Sequence, residues 1–158
     1  MARELMTSWA DYQAAIDQIL QLANEHVFIY DEDLGLLKLE SPARLDQIKR
    51  ILLVGKSDCL QIAIRNAQPM TRNNPQTLNL LTVYNHKTKA RQTPPTLAHL
   101  RDSMILVDGK HGLIRFDREQ PRSKLLIEEA GELRPYYHRF QEIIDESGET
   151  IGSGTLGL

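Results

Sequence analysis

Arg101-Asp-Ser-Met-Ile-Leu-Val-Asp-Gly-Lys-His-Gly-Leu-Ile-Arg-Phe-Asp-Arg118 is the stretch on which the fold turns. Two apolar runs, Asp102 to Val107 and Leu113 to Asp117, flank Asp108-Gly-Lys-His-Gly112. Asp-Gly between apolar runs predicts a β-hairpin, because both residues accept the positive φ that a tight turn needs. Residues two apart on a strand share a face, so Arg101 is expected beside Ser103, and Phe116 beside Arg118.

Working outward, Lys124-Leu-Leu-Ile-Glu128 reads as a further strand. Leu133, Tyr136, Tyr137, Phe140, Ile143 and Ile144 then recur at helical spacing. Upstream, Ser8 with Asp11 three residues on opens a helix whose apolar stripe is Trp9, Tyr12, Ile16, Ile19, Leu20 and Ala23. The run from His26 to Asp31 is rich in β-formers. Ser41-Pro42 supplies a cap and a first-turn proline for a second helix, which ends at Gly55. Leu60 to Arg65 alternates apolar and polar and predicts a half-buried strand. Asn74-Pro75 repeats the cap signal for a third helix, and Lys87 to Pro95 reads as a basic, proline-ended loop. Alternating helices and strands followed by a hairpin predict an α/β domain with a mixed sheet flanked by helices. The expected domain is 1–146, and the Gly/Ser/Thr-rich segment 147–158 is expected to be a flexible tail.

Composition narrows the function classes. The 158 residues carry a net charge of −2, which gives no global attraction to nucleic acid or to an anionic membrane. No run reaches the roughly 18–20 apolar residues that cross a bilayer. The opening residues do not resemble a signal peptide, and the one cysteine, Cys59, excludes an internal disulfide. A cytoplasmic protein is the expectation.

The segment from Arg101 to Ile144, about a third of the chain, resembles the signature half of the phospholipase D superfamily. That family sets H-x-K-x-x-x-x-D on a strand and its turn, then G-S-x-N at the end of the next strand. A Pro-Arg-Ser-like loop (Pro121 to Ser123 here), a strand and a helix follow. The resemblance implies a phospholipase D-like half-domain. In active members a histidine attacks phosphorus while lysine and asparagine hold phosphoryl oxygens. Here the histidine position holds Arg101 and the lysine position Ser103; the aspartate remains as Asp108. The G-S pair becomes Arg115-Phe116, and the asparagine position holds Arg118. Arginine stays protonated and cannot be the nucleophile. Shifting the register so that His99 opens the motif moves the aspartate position to Leu106.

The family geometry further implies that Phe116 and Arg118 face Arg101 and Ser103. Arg101, Ser103, Arg115 and Arg118 then form a candidate pocket for phosphate or another anion. The competing reading pairs these arginines with Asp102, Asp117 or Glu119 on a solvated surface. Five histidines (His26, His86, His99, His111 and His138) lack metal-ligand spacing, so no metal or other cofactor is expected. His111 is expected in the turn, facing solvent. Gly55-Lys56-Ser57 ends like a phosphate-binding loop but follows a helix instead of a strand.

The resulting expectation is a non-catalytic domain acting in binding or assembly. Single-half members of the family pair across a two-fold axis, which implies a homodimer, with Phe116 in the contact. Two other readings remain open. One is an enzyme on an anionic substrate, remodelled around His99, Asp108 and His111. The other is a nucleic-acid-binding module that kept the groove.

Overall fold

The structure is a computed structural model and describes residues 2–151. Ala2–Met6 forms β1, an edge strand with no apolar alternation to announce it. The Ser8 hydroxyl accepts from Asp11 N at 3.1 Å and starts α1, Trp9–Leu22. After β2 (Val27–Asp31), Ser41 caps α2, Pro42–Val54, by accepting from Arg44 N. Next come β3 (Leu60–Ile64), the single turn α3 (Met70–Asn73), α4 (Pro75–Val83) and β4 (Thr88–Gln92). The hairpin is β5 (Ser103–Val107) and β6 (His111–Arg115), followed by β7 (Ser123–Ile127), α5 (Ala130–Glu146) and the short β8 (Glu149–Thr150).

The strands form one mixed sheet in the order β1-β7-β6-β5-β2-β3-β4-β8. β2, β3 and β4 run parallel to their neighbours among themselves, and the other pairings are antiparallel. Alternation along each strand divides the core into two layers. Val27, Ile29, Ile62, Ile105 and Leu113 pack beneath α1, α2 and α4. Tyr30, Ala63, Met104, Leu106 and Ile114 pack beneath α5 through Leu133, Phe140, Ile143 and Ile144.

Several sequence expectations need correction. Thr88–Gln92, read as part of a loop, is β4: its backbone pairs with β3 and β8, and Ala90 alone is fully buried, so side-chain polarity hid the strand. All five residues of β3 are buried, since helices cover both faces of this central strand and Gln61 is buried with its apolar neighbours. The hairpin turn is only Asp108 to Lys110. Asp108 and Gly109 take φ of +56° and +75°, the left-handed values that suit Asp and Gly. His111 therefore sits in β6, 3% exposed, and not in a solvent-facing turn. Its Nδ1 accepts from Glu128 N at 3.1 Å. Trp9 is partly exposed instead of being core. Within the expected tail, β8 pairs with β4, and Ser147 and Ile151 are buried; residues 152–158 lie outside the described part.

Candidate functional site

β2, β5 and β6 lie side by side, and their registered ends bring Asp31, Ser103 and Arg115 into one row on the α1 face. Ser103 is opposite Arg115. This corrects the expectation that Phe116 faces Ser103: strand alternation sends Phe116 to the α5 face, near Tyr136 and Arg139 in a second cleft.

Arg115 is the largest fully buried side chain, 1% exposed. Its Nη2 donates to Asp31 Oδ1 at 3.0 Å, and its Nη1 donates to the carbonyls of Arg118 (2.6 Å) and Asp117 (3.4 Å). The guanidinium carbon lies 5.1 Å from the Tyr12 ring centre and 5.6 Å from that of Trp9, in cation–π range. Asp31 is 1% exposed. Its Oδ2 accepts from Leu34 N at 2.8 Å, and Asp33 N approaches it at 3.4 Å. Burial pushes the Asp31 carboxyl up, while Ser103, Arg115 and those amides pull it back. Ser103 Oγ, buried beside the pair, has no hydrogen-bond partner of its own.

The other two arginines meet carboxylates as well. Arg101 Nε donates to Asp117 Oδ1 at 2.8 Å, and its Nη2 to Glu119 Oε2 at 3.0 Å. That guanidinium, with the Glu119 amide, holds the Asp117 carboxyl below the usual range. Arg118 Nη1 donates to Glu32 Oε2 at 2.7 Å, and Arg118 N donates to Arg101 O. Ser103, Arg115 and Arg118 are neighbours, whereas Arg101 lines the α5-side cleft with Phe116, and each guanidinium lies against an acid of the same chain. Arg115 and Arg118 open on a cleft of about 350 Å³ that also presents Asp31, Glu32, Asp33 and Glu119. Four carboxylates against two guanidiniums make it acidic.

Asp108, expected from the resemblance as a signature remnant, is a structural clamp. Its Oδ1 accepts from Glu25 N (2.8 Å) and His26 N (2.9 Å), and its Oδ2 from Asn24 N (2.8 Å). It ties the β5–β6 turn to the loop entering β2. His99 and His111 are not brought together: His99 lines the α5-side cleft, while His111 is bonded at the opposite end of the hairpin. Among the described residues no group of three His, Cys, Asp or Glu could hold a metal ion, and no helix is long and apolar enough to cross a membrane.

Sequence reasoning missed Asp31 and Glu32. One signal was available: Asp31 ends the apolar run Val27-Phe-Ile-Tyr, and a carboxylate carried into a core needs a cation.

Three solved structures share this fold. A phospholipase D family member, Nuc from Salmonella typhimurium, superposes with a TM-score of 0.64 at 11% identity, over 96% of this chain and 99% of that one. NucT from Helicobacter pylori gives 0.59 at 15% identity, over 94% and 98%. TrmBL2, an archaeal chromatin protein, gives 0.70 at 11% identity over 96% of this chain, which spans only 55% of that longer one. No curated protein matches the chain in sequence. The fold is phospholipase D-like. The chain belongs to the family described as Domain of unknown function (DUF7931), whose model matches residues 8–151.

Proposed function

We propose that this is a non-catalytic phospholipase D-like domain that works in assembly, as a homodimer closed across the face around Arg115. The observation that carries the reading is the buried Arg115–Asp31 pair. A side chain of arginine size stands where the superfamily signature has glycine, and it is sealed by Trp9, Tyr12 and Asp31. Arg101 and Arg118, in the histidine and asparagine positions, are engaged by acids and offer neither a nucleophile nor a free phosphate grip. Beside Arg115 stand two partly exposed apolar side chains, Trp9 (36%) and Leu36 (38%), and Phe116 (42%) lies at the same end of the sheet on its α5 face. Leu36 lines the acidic cleft and Phe116 follows Arg115 in sequence. Apolar side chains gathered at one end of a sheet suit a contact with a second copy, and two-fold pairing is the commonest closed arrangement.

Asp108 and Asp117 are engaged within the chain and are poorly placed to pair with an arginine across a two-fold axis. Arg122, exposed and stacked 5.9 Å over Phe116, is the better donor to a partner's acidic cleft. TrmBL2 is described as binding DNA, but an acidic cleft is a poor match for a phosphate backbone here. Sedimentation velocity at micromolar concentration tests the assembly. A dimer that shifts toward monomer with Phe116→Asp supports it; a monomeric parent, or a dimer indifferent to both Phe116→Asp and Leu36→Asp, ends it. Purified protein is expected to leave a simple phosphodiester intact. Metal-independent turnover lost on mutating His99 or His111 would overturn the non-catalytic part.

A further inference from the structure

At the opposite end of the sheet from Arg115, three aliphatic side chains are left largely in solvent: Leu53 (66%), Val54 (68%) and Val83 (57%). Topology gathers them. The connections from β2 to β3 and from β3 to β4 are parallel crossovers, so α2 and α4 run back against the strands over one face and end beside each other. Lys87, in the turn after α4, joins the two ends. Its Nζ donates to the carbonyls of Leu52 (2.8 Å) and Leu53 (3.4 Å), and its backbone N donates to Tyr84 O.

The charge of this corner differs from that of the whole chain. Lys49, Arg50, Lys56, Lys87 and Lys89 stand around it against Glu25 and Asp58, in a chain of net charge −2. Asp46 lies roughly two turns back along α2. Arg50 and Lys87 are used on the carbonyls that end α1 and α2, where a cation offsets the negative end of a helix. Lys89 lies 4.0 Å from Asp58. Lys49 and Lys56 are exposed and have no ion pair among the described residues. Lys49 stands one turn before Leu53 on the same stripe of α2, and Lys56 follows Val54 by two residues. At the Arg115 end each guanidinium of the cluster has its own acid; here two ammonium groups beside exposed aliphatic side chains have none.

We propose that this corner binds the surface of an anionic lipid bilayer, with Leu53, Val54 and Val83 entering the acyl boundary and Lys49 and Lys56 meeting lipid phosphates. The three aliphatic side chains project from two separate helix ends, and a fluid surface closes around such knobs without a matching groove. Lysine stems lie along apolar surface while their ammonium groups stay among the headgroups. So few contacts make the attachment reversible.

Co-sedimentation of the whole chain with vesicles tests this. Vesicles of equal parts phosphatidylcholine and phosphatidylglycerol are expected to bind about thirtyfold more tightly than phosphatidylcholine alone, each free lysine contributing about fivefold. The preference should vanish in about 1 M salt, where the screening length is about 3 Å. Lys49→Glu with Lys56→Glu is expected to abolish it. Leu53→Ser with Val83→Ser keeps the charge and should weaken binding to the mixed vesicles by about tenfold. All four positions are exposed, so these variants are expected to melt with the parent. Equal binding to both kinds of vesicle, or binding unchanged in either double variant, overturns the proposal. Absence of co-sedimentation with the mixed vesicles also overturns it, and leaves the corner to an acidic protein.

Discussion

Arg115 Nη2 and Asp31 Oδ1 meet at 3.0 Å, 84 residues apart in sequence, with side chains 1% and 2% exposed. Removing one partner of such a pair strands the other charge in a dry interior, at a cost of about 3–5 kcal/mol. Arg115→Met is therefore expected to lower the free energy of unfolding by about that much, since the Asp117 and Arg118 carbonyls also lose their donor. Asp31→Leu combined with Arg115→Met removes both charges and should recover most of the loss. Urea unfolding of the parent, the single variant and the double variant measures this.

By the sequence resemblance Asp108 stands at the superfamily's aspartate position, with Arg101 and Ser103 at its histidine and lysine positions. Its value here is architectural, as acceptor for the Asn24, Glu25 and His26 amides. Asp108→Ala is expected to cost about 2 kcal/mol, part of the bonds being solvent-exposed. Asp108→Asn keeps one acceptor and tolerates the positive φ, so it should lie between. Amide exchange at Glu25 and His26 should accelerate in both variants, while exchange in β7 stays unchanged.

The helices are legible because their signals are local: Ser8, Ser41 and Pro42 act within a turn of where they stand. The hairpin is legible from Asp108-Gly109 for the same reason. β1 and β4 are not, because pairing with a neighbouring strand, on one side for Ala2–Met6 and on both for Thr88–Gln92, supplies what their polar side chains do not. At the candidate site the arginines could be named, but their partners could not. Asp31 and Glu32 reach Arg115 and Arg118 only through the adjacency of β2 to β5, a long-range fact with no local mark. Phe116 was placed by the family geometry, whereas the registered pair Ser103–Arg115 puts Arg115 on the Ser103 face and its neighbour Phe116 on the other.

Two histidines tie stability to pH. Burial pushes His111 and His26 below the usual histidine value. His111 Nδ1 must also stay unprotonated to accept from Glu128 N. The folded state then binds fewer protons than the unfolded chain, so stability falls as pH drops below about 6.5 and through the lowered folded values. Urea midpoints are expected to decline between about pH 7 and pH 5, above the carboxylate range. His111→Gln should flatten part of that slope. A slope of the same steepness in the variant would remove His111 from the account.

The acids around the arginine cluster should also set how the protein answers to phosphate and sulfate. Arg101 and Arg118 are each matched by a carboxylate at 3.0 Å or less, and an anion must displace that carboxylate, at Arg118 while facing Asp31 and Asp33 across the cleft. Sulfate strengthens burial in any protein, so the informative quantity is the difference between variants at equal salt. The parent and Arg101→Ala are expected to gain the same melting temperature in sulfate. Glu32→Gln with Glu119→Gln removes two of the cleft's four carboxylates and releases Arg118 together with one donor of Arg101. That double variant should bind the anion by linkage and melt higher in sulfate than the parent does. A parent whose sulfate response already depends on Arg101 would show that the guanidiniums exchange their acids freely, and that the cluster is an anion site as it stands.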